Sequence, residues 1–407
     1  MKIILFEDNQ CHNLHPLGLF RPLFDIYAGS FTLFQLVRQL DLPTRAIIRE
    51  HFLFGDEDHP HLPSPLDEPH LFLNASIEPD VRSVEKLRNR IAAGDPFIAT
   101  SGNRVAAALV PSGRQMPEAV TPDDISAHLL ELSLPLEQNV FKTIDWPHEV
   151  VESHLRLFET NLEKRIADGH FSEERPGIFL GHDVTLSPSV ELDSGEGPVV
   201  LDSGVTVLPF TYIRGPVFIG RKTRVIEHSS VKSASSIEHG CKIGGEVEMS
   251  VIEPHSNKQH TGFLGHSWVG RWVNLGAGTV TSNLKTTYGK VRMAYQGQRI
   301  GTGMQFMGSI IGDYTKTAIS TSIFTGKIIG VCSKLYGMVT TNVPSFTNYA
   351  KTFGQITEIN PEQVITTQRR MFERRGVKQT EKDAELIKRV YAMTREERKM
   401  RDSQITF

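Results

Sequence analysis

Residues 199–250 read VVLDSGVTVLPFTYIRGPVFIGRKTRVIEHSSVKSASSIEHGCKIGGEVEMS, and every sixth residue of this stretch is apolar. The apolar column consists of Leu201, Val207, Ile213, Ile219, Val225, Val231, Ile237, Ile243 and Met249. A second column holds small or β-branched side chains: Val199, Val205, Thr211, Val217, Thr223, Ser229, Ser235, Cys241 and Val247. Helices repeat about every 3.6 residues and strands every 2, so neither produces this pattern. A six-residue repeat predicts a parallel β-helix, whose chain turns a corner after each short strand.

The repeat also predicts the domain organisation. Three six-residue faces would form one triangular coil, and the coils would stack at the strand spacing of ~4.8 Å. Residues 1–168, which mix short apolar runs with helical patterns, predict an α/β domain. The β-helix is expected over 176–345, and a helical C-terminal cap over 346–407 is expected to cover its open end.

Composition excludes several classes of protein. The formal net charge is -3, which gives no sign of a nucleic-acid partner. The chain has no apolar run long enough for a membrane span, and its N-terminus does not resemble a signal peptide. Its three cysteines are widely separated, which favours free thiols. We therefore expect a cytoplasmic protein with no membrane or nucleic-acid partner.

The first predicted strand ends without a phosphate-binding loop. Residues 7–17 contain no glycine that would let the backbone wrap a pyrophosphate closely. Arg21 and Asp25 stand in its place, ahead of a predicted helix. Arg21 could contact a phosphate, and Asp25 could hold a ribose or a metal ion. A capped turn with a surface ion pair is the alternative interpretation.

The six-residue repeat is interrupted twice, and loops that leave a solenoid often carry function. Residues 253–262 read EPHSNKQHTG and predict a polar loop that contains His255 and His260, with His266 close behind. Residues 283–298 predict a second excursion. Because an unperturbed histidine titrates near pH ~6.5, a positioned imidazole can accept a proton from an amine or hydroxyl.

A glycine-flanked turn follows these histidines in VNLGAGTVTSN, residues 273–283. Gly276 and Gly278 flank Ala277 and would keep side chains away from the backbone. Backbone N–H groups there could polarise a thioester carbonyl. Tight packing at a corner of the coil is the alternative explanation for the two glycines.

Residues 244–283 resemble the acetyltransferase domain of the bifunctional family that makes UDP-N-acetylglucosamine, in which an HLTYLG-type motif precedes VNIGAGT and a following CN. The layout of the chain is similar to a variant, sugar nucleotidyltransferase-like group of that family. The resemblance implies a left-handed β-helix, acetyl-CoA as co-substrate, a sugar phosphate or nucleotide sugar as acceptor, and a homotrimer whose subunits share each site. It also implies an N-terminal nucleotidyltransferase domain that could use Mg²⁺.

The resemblance assigns roles to residues by their place in the motifs. His260 matches the general base, and the acetyl-CoA thioester would lie near the backbone of Ala277 and Gly278. Its implied substrate-binding positions are Asn274, Asn283, Lys258, Lys290, Phe263 and Ser250. Phe263 replaces a tyrosine of the family, and Ser250 replaces a phosphate-binding lysine. The glycine-rich nucleotide loop is missing, and Arg21 is its nearest counterpart.

Two other interpretations stay open at this point. His255 and His260, with His228 or His239, resemble the zinc ligands of the β-helical carbonic anhydrases. A non-catalytic assembly protein that binds sugar nucleotides is the second alternative. We favour acyl transfer because VNLGAGTVTSN follows His260.

Overall fold

A computed structural model describes residues 1–54 and 62–399 of the chain. It divides into two compact units, Met1–Pro147 and His148–Phe407. Short 3₁₀ helices lie at Cys11–Leu14, Leu23–Asp25, Arg38–Leu40, Glu50–Phe52, Lys351–Phe353 and Glu396–Arg398.

The first unit is an α/β domain. Its elements are β1 (Lys2–Phe6), α1 (Leu33–Val37), β2 (Thr44–Ile47), β3 (His70–Asn74), α2 (Val81–Ala93), β4 (Phe97–Ser101), β5 (Arg104–Val110), α3 (Ile125–Glu131) and β6 (Leu136–Gln138). The sheet order is β2-β1-β3-β5-β4-β6, and β5 runs antiparallel to both neighbours. The central strands β1 and β3 are apolar and almost wholly buried, as expected for strands covered on both faces.

The second unit is built on a parallel β-helix. Its elements are α4 (Glu149–Asp168), β7 (Ser172–Arg175), β8 (Ile178–Leu180), β9 (Thr185–Leu186), β10 (Glu191–Asp193), β11 (Val199–Leu201), β12 (Thr206–Val207), β13 (Tyr212–Arg214), β14 (Val217–Ile219), β15 (Arg224–Val225), β16 (Ser230–Val231), β17 (Ser235–Ile237), β18 (Lys242–Ile243), β19 (Glu246–Glu248), β20 (Val251–Ile252), β21 (Asn257–Lys258), β22 (Phe263–Gly265), β23 (Trp268–Val269), β24 (Val280–Thr281), β25 (Arg292–Tyr295), β26 (Gln298–Gly301), β27 (Ser309–Ile311), β28 (Lys316–Thr317), β29 (Ser322–Ile323), β30 (Lys327–Ile329), β31 (Lys334–Leu335), β32 (Met338–Val339), β33 (Thr347–Ala350), β34 (Gln355–Glu358), α5 (Pro361–Glu373) and α6 (Glu381–Met393).

The coils have three faces. Face one contains β8, β11, β14, β17, β20, β23, β27 and β30. Face two contains β9, β12, β15, β18 and β21, and continues with β28, β31 and β33. Face three contains β10, β13, β16, β19 and β22, and continues with β24, β29 and β32. Within each face, strands of successive coils pair in parallel. The predicted fold class is confirmed as an α/β domain followed by a parallel β-helix and a helical tail.

The predicted apolar column forms the core of the β-helix. The eight residues from Leu201 to Ile243 that share the six-residue spacing are fully buried. Met249, however, was wrongly placed in this column: it lies at a corner with φ 46° and is half-buried. Val247 takes the inward position instead, paired with Val231.

A short corner causes this change of register. Four residues, 226–229, connect β15 to β16, whereas only Gly244 and Gly245 connect β18 to β19. Gly245 has φ 69°, and a Cβ atom on Gly244 would lie 1.9 Å from the carbonyl oxygen of Gln259. Because only glycine fits both positions, the coil closes two residues early and every later inward position is displaced.

The prediction of a polar loop over residues 253–262 is therefore wrong, because these residues continue the coil. Strand β21 pairs in register with β18, Asn257 opposite Lys242 and Lys258 opposite Ile243. The second predicted excursion is present and longer than expected. The chain leaves the coil after β24, forms the antiparallel hairpin β25–β26, and rejoins the coil at β27.

Helix α4 packs on the β-helix. Its Phe158 and Leu162 form one buried cluster with the outward-facing Val200 and Phe218 of face one. The compact units accordingly divide after Pro147, whereas the sequence predicted a boundary at residue 168.

The C-terminal helices differ in position from the predicted end cap. The Phe372 ring of α5 packs on Trp272 at 4.6 Å, and Arg375 bonds to Asn257 of β21. The Tyr391 ring of α6 meets Phe346 at 5.2 Å, close to β33. These contacts run along the side of the coils, because that side offers aromatic corner residues to the apolar faces of both helices. Among the described helices, none combines the length and apolarity that a membrane crossing requires.

Candidate functional site

His260 lies on the corner between faces two and three, after β21 and before β22. Its side chain is exposed, although the residue two positions earlier points into the core. Lys258 is 2% exposed, and its Nζ donates to the carbonyl oxygens of Gly244 at 3.0 Å and His260 at 2.5 Å. The buried lysine thus holds the backbone of His260 from inside the coil and leaves the imidazole outside.

The glycine-flanked turn forms the same corner one coil later. The N–H of Gly278 donates to the carbonyl oxygen of Thr261 at 3.1 Å. A Cβ atom on Gly262 would lie 2.0 Å from the carbonyl oxygen of Thr279, so the two corners stack in close contact. The structure therefore brings His260 next to Ala277, as the motifs predicted.

The backbone N–H groups of this turn are not equivalent. Gly276 donates to Thr317 Oγ1 at 2.8 Å, and the N–H of Gly278 is used by Thr261. The carbonyl oxygen of Ala277 accepts from the N–H of Ser320 at 2.7 Å. The N–H of Ala277 has no acceptor among the described residues. Of the two predicted oxyanion donors, Ala277 alone keeps an N–H for a ligand.

Phe263 and Asn283 meet at the far end of β22. A Cβ atom on Gly265 would lie 2.4 Å from Phe263 Cζ and 2.9 Å from Asn283 Nδ2, so both side chains cover this glycine. Asn283 Nδ2 donates to His266 Nδ1 at 3.0 Å, and burial lowers the pKa of His266 to about 4. The His266 ring stacks on Phe306 at 5.3 Å. His266 is thus a neutral acceptor that orients Asn283.

The other predicted contacts are distributed around this edge. Asn274 is exposed on face two, two residues before the glycine-flanked turn. Lys290 is exposed in the long excursion between β24 and β25. Two predicted substrate contacts are wrong. Ser250 is fully buried and donates to the carbonyl oxygen of Glu248 at 2.7 Å, and the Lys258 ammonium points into the coil. The displaced register turns both side chains inward.

His255 lies in a stack of aromatic rings rather than in a cluster of metal-ligating side chains. Its ring stacks on Trp272 at 4.4 Å and meets His239 edge-on at 5.0 Å. Burial and the neighbouring His239 lower the pKa of His255 to about 4. Across residues 1–54 and 62–399, no three His, Cys, Asp or Glu side chains are grouped to hold a metal ion. The zinc interpretation therefore has no support in the geometry.

The α/β domain carries a polar cluster that sequence reasoning missed. Glu7, directly after β1, is fully buried. Its carboxylate accepts the N–H of Leu23 at 3.0 Å, the N–H of Arg49 at 3.0 Å, and the Arg49 guanidinium through Nε at 2.9 Å and Nη2 at 2.8 Å. Backbone N–H groups and an arginine of this kind bind phosphates at the carboxyl end of parallel strands in other proteins. Here Glu7 occupies them. Two acidic residues directly after a buried strand were the signal in the sequence.

Asp8 is paired in the same way. Its carboxylate accepts from Arg104 Nε at 2.9 Å and Nη2 at 2.8 Å, and from Asn74 Nδ2 at 2.8 Å. Mg²⁺ requires oxygen ligands that are free to coordinate it. Because arginines neutralise both Glu7 and Asp8, this pair does not fit the Mg²⁺ that the resemblance implied. Arg21 is buried and Asp25 is half-buried. Their assignment to nucleotide binding stays a prediction.

Comparisons with known proteins agree with the motifs. Residues 3–167 match the model of the sugar nucleotidyl transferase family. A bifunctional sugar-1-phosphate nucleotidylyltransferase/acetyltransferase of Sulfurisphaera tokodaii is 32% identical over 143 residues, which cover 35% of this chain and 36% of that protein. The bifunctional protein GlmU of Rippkaea orientalis is 28% identical over 217 residues, which cover 44% and 43% of the two chains. The predicted family resemblance is confirmed.

The matches are partial. The chain spans less than half the length of these curated relatives. Among solved structures, an Arabidopsis UDP-N-acetylglucosamine acyltransferase matches 50% of this chain and 74% of its own, with 13% identity and a TM-score of 0.29.

Proposed function

We propose that this chain, a relative of the bifunctional sugar-1-phosphate nucleotidylyltransferase/acetyltransferases, transfers an acetyl group from acetyl-CoA to a sugar phosphate or nucleotide sugar. The observation that carries the proposal is the stacking of the exposed His260 corner on the Ala277 turn, whose N–H has no acceptor in the described chain. A proton acceptor and an oxyanion donor on adjacent corners are what acyl transfer requires.

The reaction assigns one step to each group. The His260 imidazole takes the proton from an amine or hydroxyl of the acceptor as that atom attacks the thioester carbonyl. The Ala277 N–H donates to the oxygen on which negative charge develops. The carbon–sulfur bond then breaks, and the CoA thiolate leaves with the proton returned by the imidazolium. His255 and His266 are poorer candidates for the base, because burial lowers the pKa of each to about 4.

The acceptor side of the site is proposed to lie on face three. Phe263 and Asn283 lie along β22, the strand that follows the His260 corner, and can contact a sugar there. The exposed Lys290 can bind the phosphate of that sugar. We propose a homotrimer in the cytoplasm, in which an adjacent subunit completes each site. Nucleotidyl transfer is left out of the proposed function, because Glu7 and Asp8 are paired with arginines.

The test is an assay of acetyl-CoA turnover over a panel of amino sugars, their phosphates and their nucleotide conjugates. We expect release of free CoA thiol only with a matching acceptor, together with a product heavier by one acetyl group in mass spectrometry. Stabilisation by acetyl-CoA and by a nucleotide sugar with no turnover across the panel would instead support the non-catalytic binding protein.

A further inference from the structure

The outward side chains of face two form a row that contains cations and no acidic residue. Arg224 of β15 lies opposite Lys242 of β18, and Lys242 lies opposite Asn257 of β21. Adjacent members of the row are therefore one strand spacing apart, ~4.8 Å along the backbone. The outward positions on the described strands and bridges of this face are Thr185, Thr206, Arg224, Lys242, Asn257, Asn274, Lys316, Lys334 and Asn348.

The end of α5 brings two more cations to this row. Arg374 and Arg375 directly follow the last residue of α5. Arg375 is half-buried, and its Nη2 donates to Asn257 Oδ1 at 2.7 Å, which places its guanidinium beside Lys242. A guanidinium carries five N–H groups. The remaining side-chain N–H groups of Arg375 have no acceptor in the part of the chain that the structure describes.

These four side chains, Arg224, Lys242, Arg374 and Arg375, form a cationic cluster without a counter-ion. Within the described chain none of them forms an ion pair with a carboxylate, although the exposed Glu373 is adjacent in sequence. Burial and the charges of Arg375, Arg374 and Arg224 lower the pKa of Lys242. Burial and Arg374 likewise lower the pKa of Arg375. The cluster thus repels itself in a chain whose net charge is -3.

The helix end explains only part of this arrangement. The last turn of a helix favours cations, so Arg374 and Arg375 are stabilised at the end of α5 without any ligand. Arg224 and Lys242 belong to the β-helix, and nothing in the described chain compensates their approach to the two arginines. A multivalent anion between the two elements would turn repulsion into attraction, and guanidinium groups bind phosphate oxygens in pairs.

We propose that the cationic cluster binds the phosphate groups of a small molecule that carries at least two negative charges. The site lies on face two, and its Lys242 is one coil before β21, the strand that leads to the His260 corner. Arg375 contributes the N–H groups that the chain leaves unused, and Arg224 and Lys242 contribute charge from the coil. The inference requires binding alone, so it is independent of the proposed acyl transfer.

The test is calorimetric titration of the full chain with pyrophosphate and with inorganic phosphate. The wild type should bind pyrophosphate more tightly than phosphate, and added NaCl should weaken both because salt screens exposed charges. Lys242→Met should raise the Kd for pyrophosphate roughly tenfold, the loss of one charge-assisted hydrogen bond. Lys164→Met is the matched control: Lys164 pairs with Asp168 at 2.5 Å on α4, and its removal changes the net charge equally. Its Kd should equal that of the wild type.

Arg224→Glu supplies the carboxylate that the cluster lacks. Because this position lies opposite Lys242, the new carboxylate should pair with the lysine, abolish pyrophosphate binding and raise Tm in the absence of phosphate. A lower Tm would contradict the repulsion on which the inference rests.

Further titrations distinguish the source of the phosphate groups. Tighter binding of CoA than of dephospho-CoA would identify the 3′-phosphate of CoA, and tighter binding of UDP-N-acetylglucosamine than of uridine would identify the diphosphate of a nucleotide sugar. The inference is wrong if the wild type binds none of these phosphate compounds. It is also wrong if Lys242→Met and Arg224→Glu both keep the Kd for pyrophosphate within twofold of the wild type.

Discussion

The His260→Ala variant is expected to lose acetyl transfer by a factor of roughly 10²–10⁴, the usual contribution of a positioned general base. The side chain is exposed, so its removal should leave the fold intact. The loss should appear in kcat, because the imidazole acts when the acceptor attacks and adds little to ground-state binding. The measurement is the steady-state rate of CoA release with the best acceptor of the panel.

His228 provides the matched control for this variant. It is exposed at the same corner two coils earlier, where it stacks on Phe210 at 5.1 Å. His228→Ala should retain the wild-type rate. Equal rates for wild type and His260→Ala would remove His260 from the mechanism and leave the β-helix as a binding scaffold.

The Lys258→Met variant is expected to change how stability depends on pH. Lys258 occupies an inward position of the core, and burial lowers its pKa to about 8 from 10.5. Between these values the unfolded chain binds more protons than the folded chain, so the free energy of unfolding of the wild type rises with pH. Lys258 should contribute about 3 kcal/mol to this rise between pH 8 and 10.5, at 1.36 kcal/mol per pKa unit.

Methionine cannot titrate, so the variant should lack the Lys258 contribution, and its free energy of unfolding should rise less steeply with pH than that of the wild type. The measurement is urea unfolding at several pH values between 7 and 10.5, followed by the fluorescence of Trp268 and Trp272 in the β-helix. Lys316, which also has a lowered pKa, is present in both proteins and cancels in the difference. Parallel stability curves for wild type and variant would show that the buried ammonium carries no such cost.

The periodicity of the sequence was sufficient to predict the architecture. An inward column over residues 201–243 fixes a coil of three equal faces, because apolar side chains alone fill the interior over this range. Counting in sixes fails at Gly244, where two glycines shorten a corner from four residues to two. The glycine pair was visible in the sequence, but corner length depends on a positive φ and on contacts with the next coil. Sequence spacing alone does not report either one.

The same slip explains which site residues were predicted correctly. His260 and Ala277 lie on the corner between faces two and three, and their place there does not depend on which strand residues point inward. Ser250 and Lys258 depend on which residues point inward, so the displaced register buried both. Arg375 was not predicted, because nothing local to the tail indicates that it reaches Asn257. The docking side of an amphipathic helix is decided by tertiary contacts, here the packing of the Phe372 ring on the ring of Trp272.

The central claim is that acyl transfer takes place at the edge shared by His260 and Ala277. The most direct measurement is a crystal structure of the protein with a ketone analogue of acetyl-CoA, in which the reactive carbonyl cannot be cleaved. We expect the ketone oxygen within hydrogen-bond distance of the Ala277 N–H, about 2.7–3.2 Å, with the His260 imidazole facing the same carbon. A bound analogue whose carbonyl lies away from this corner, on any other part of the chain, would contradict the claim.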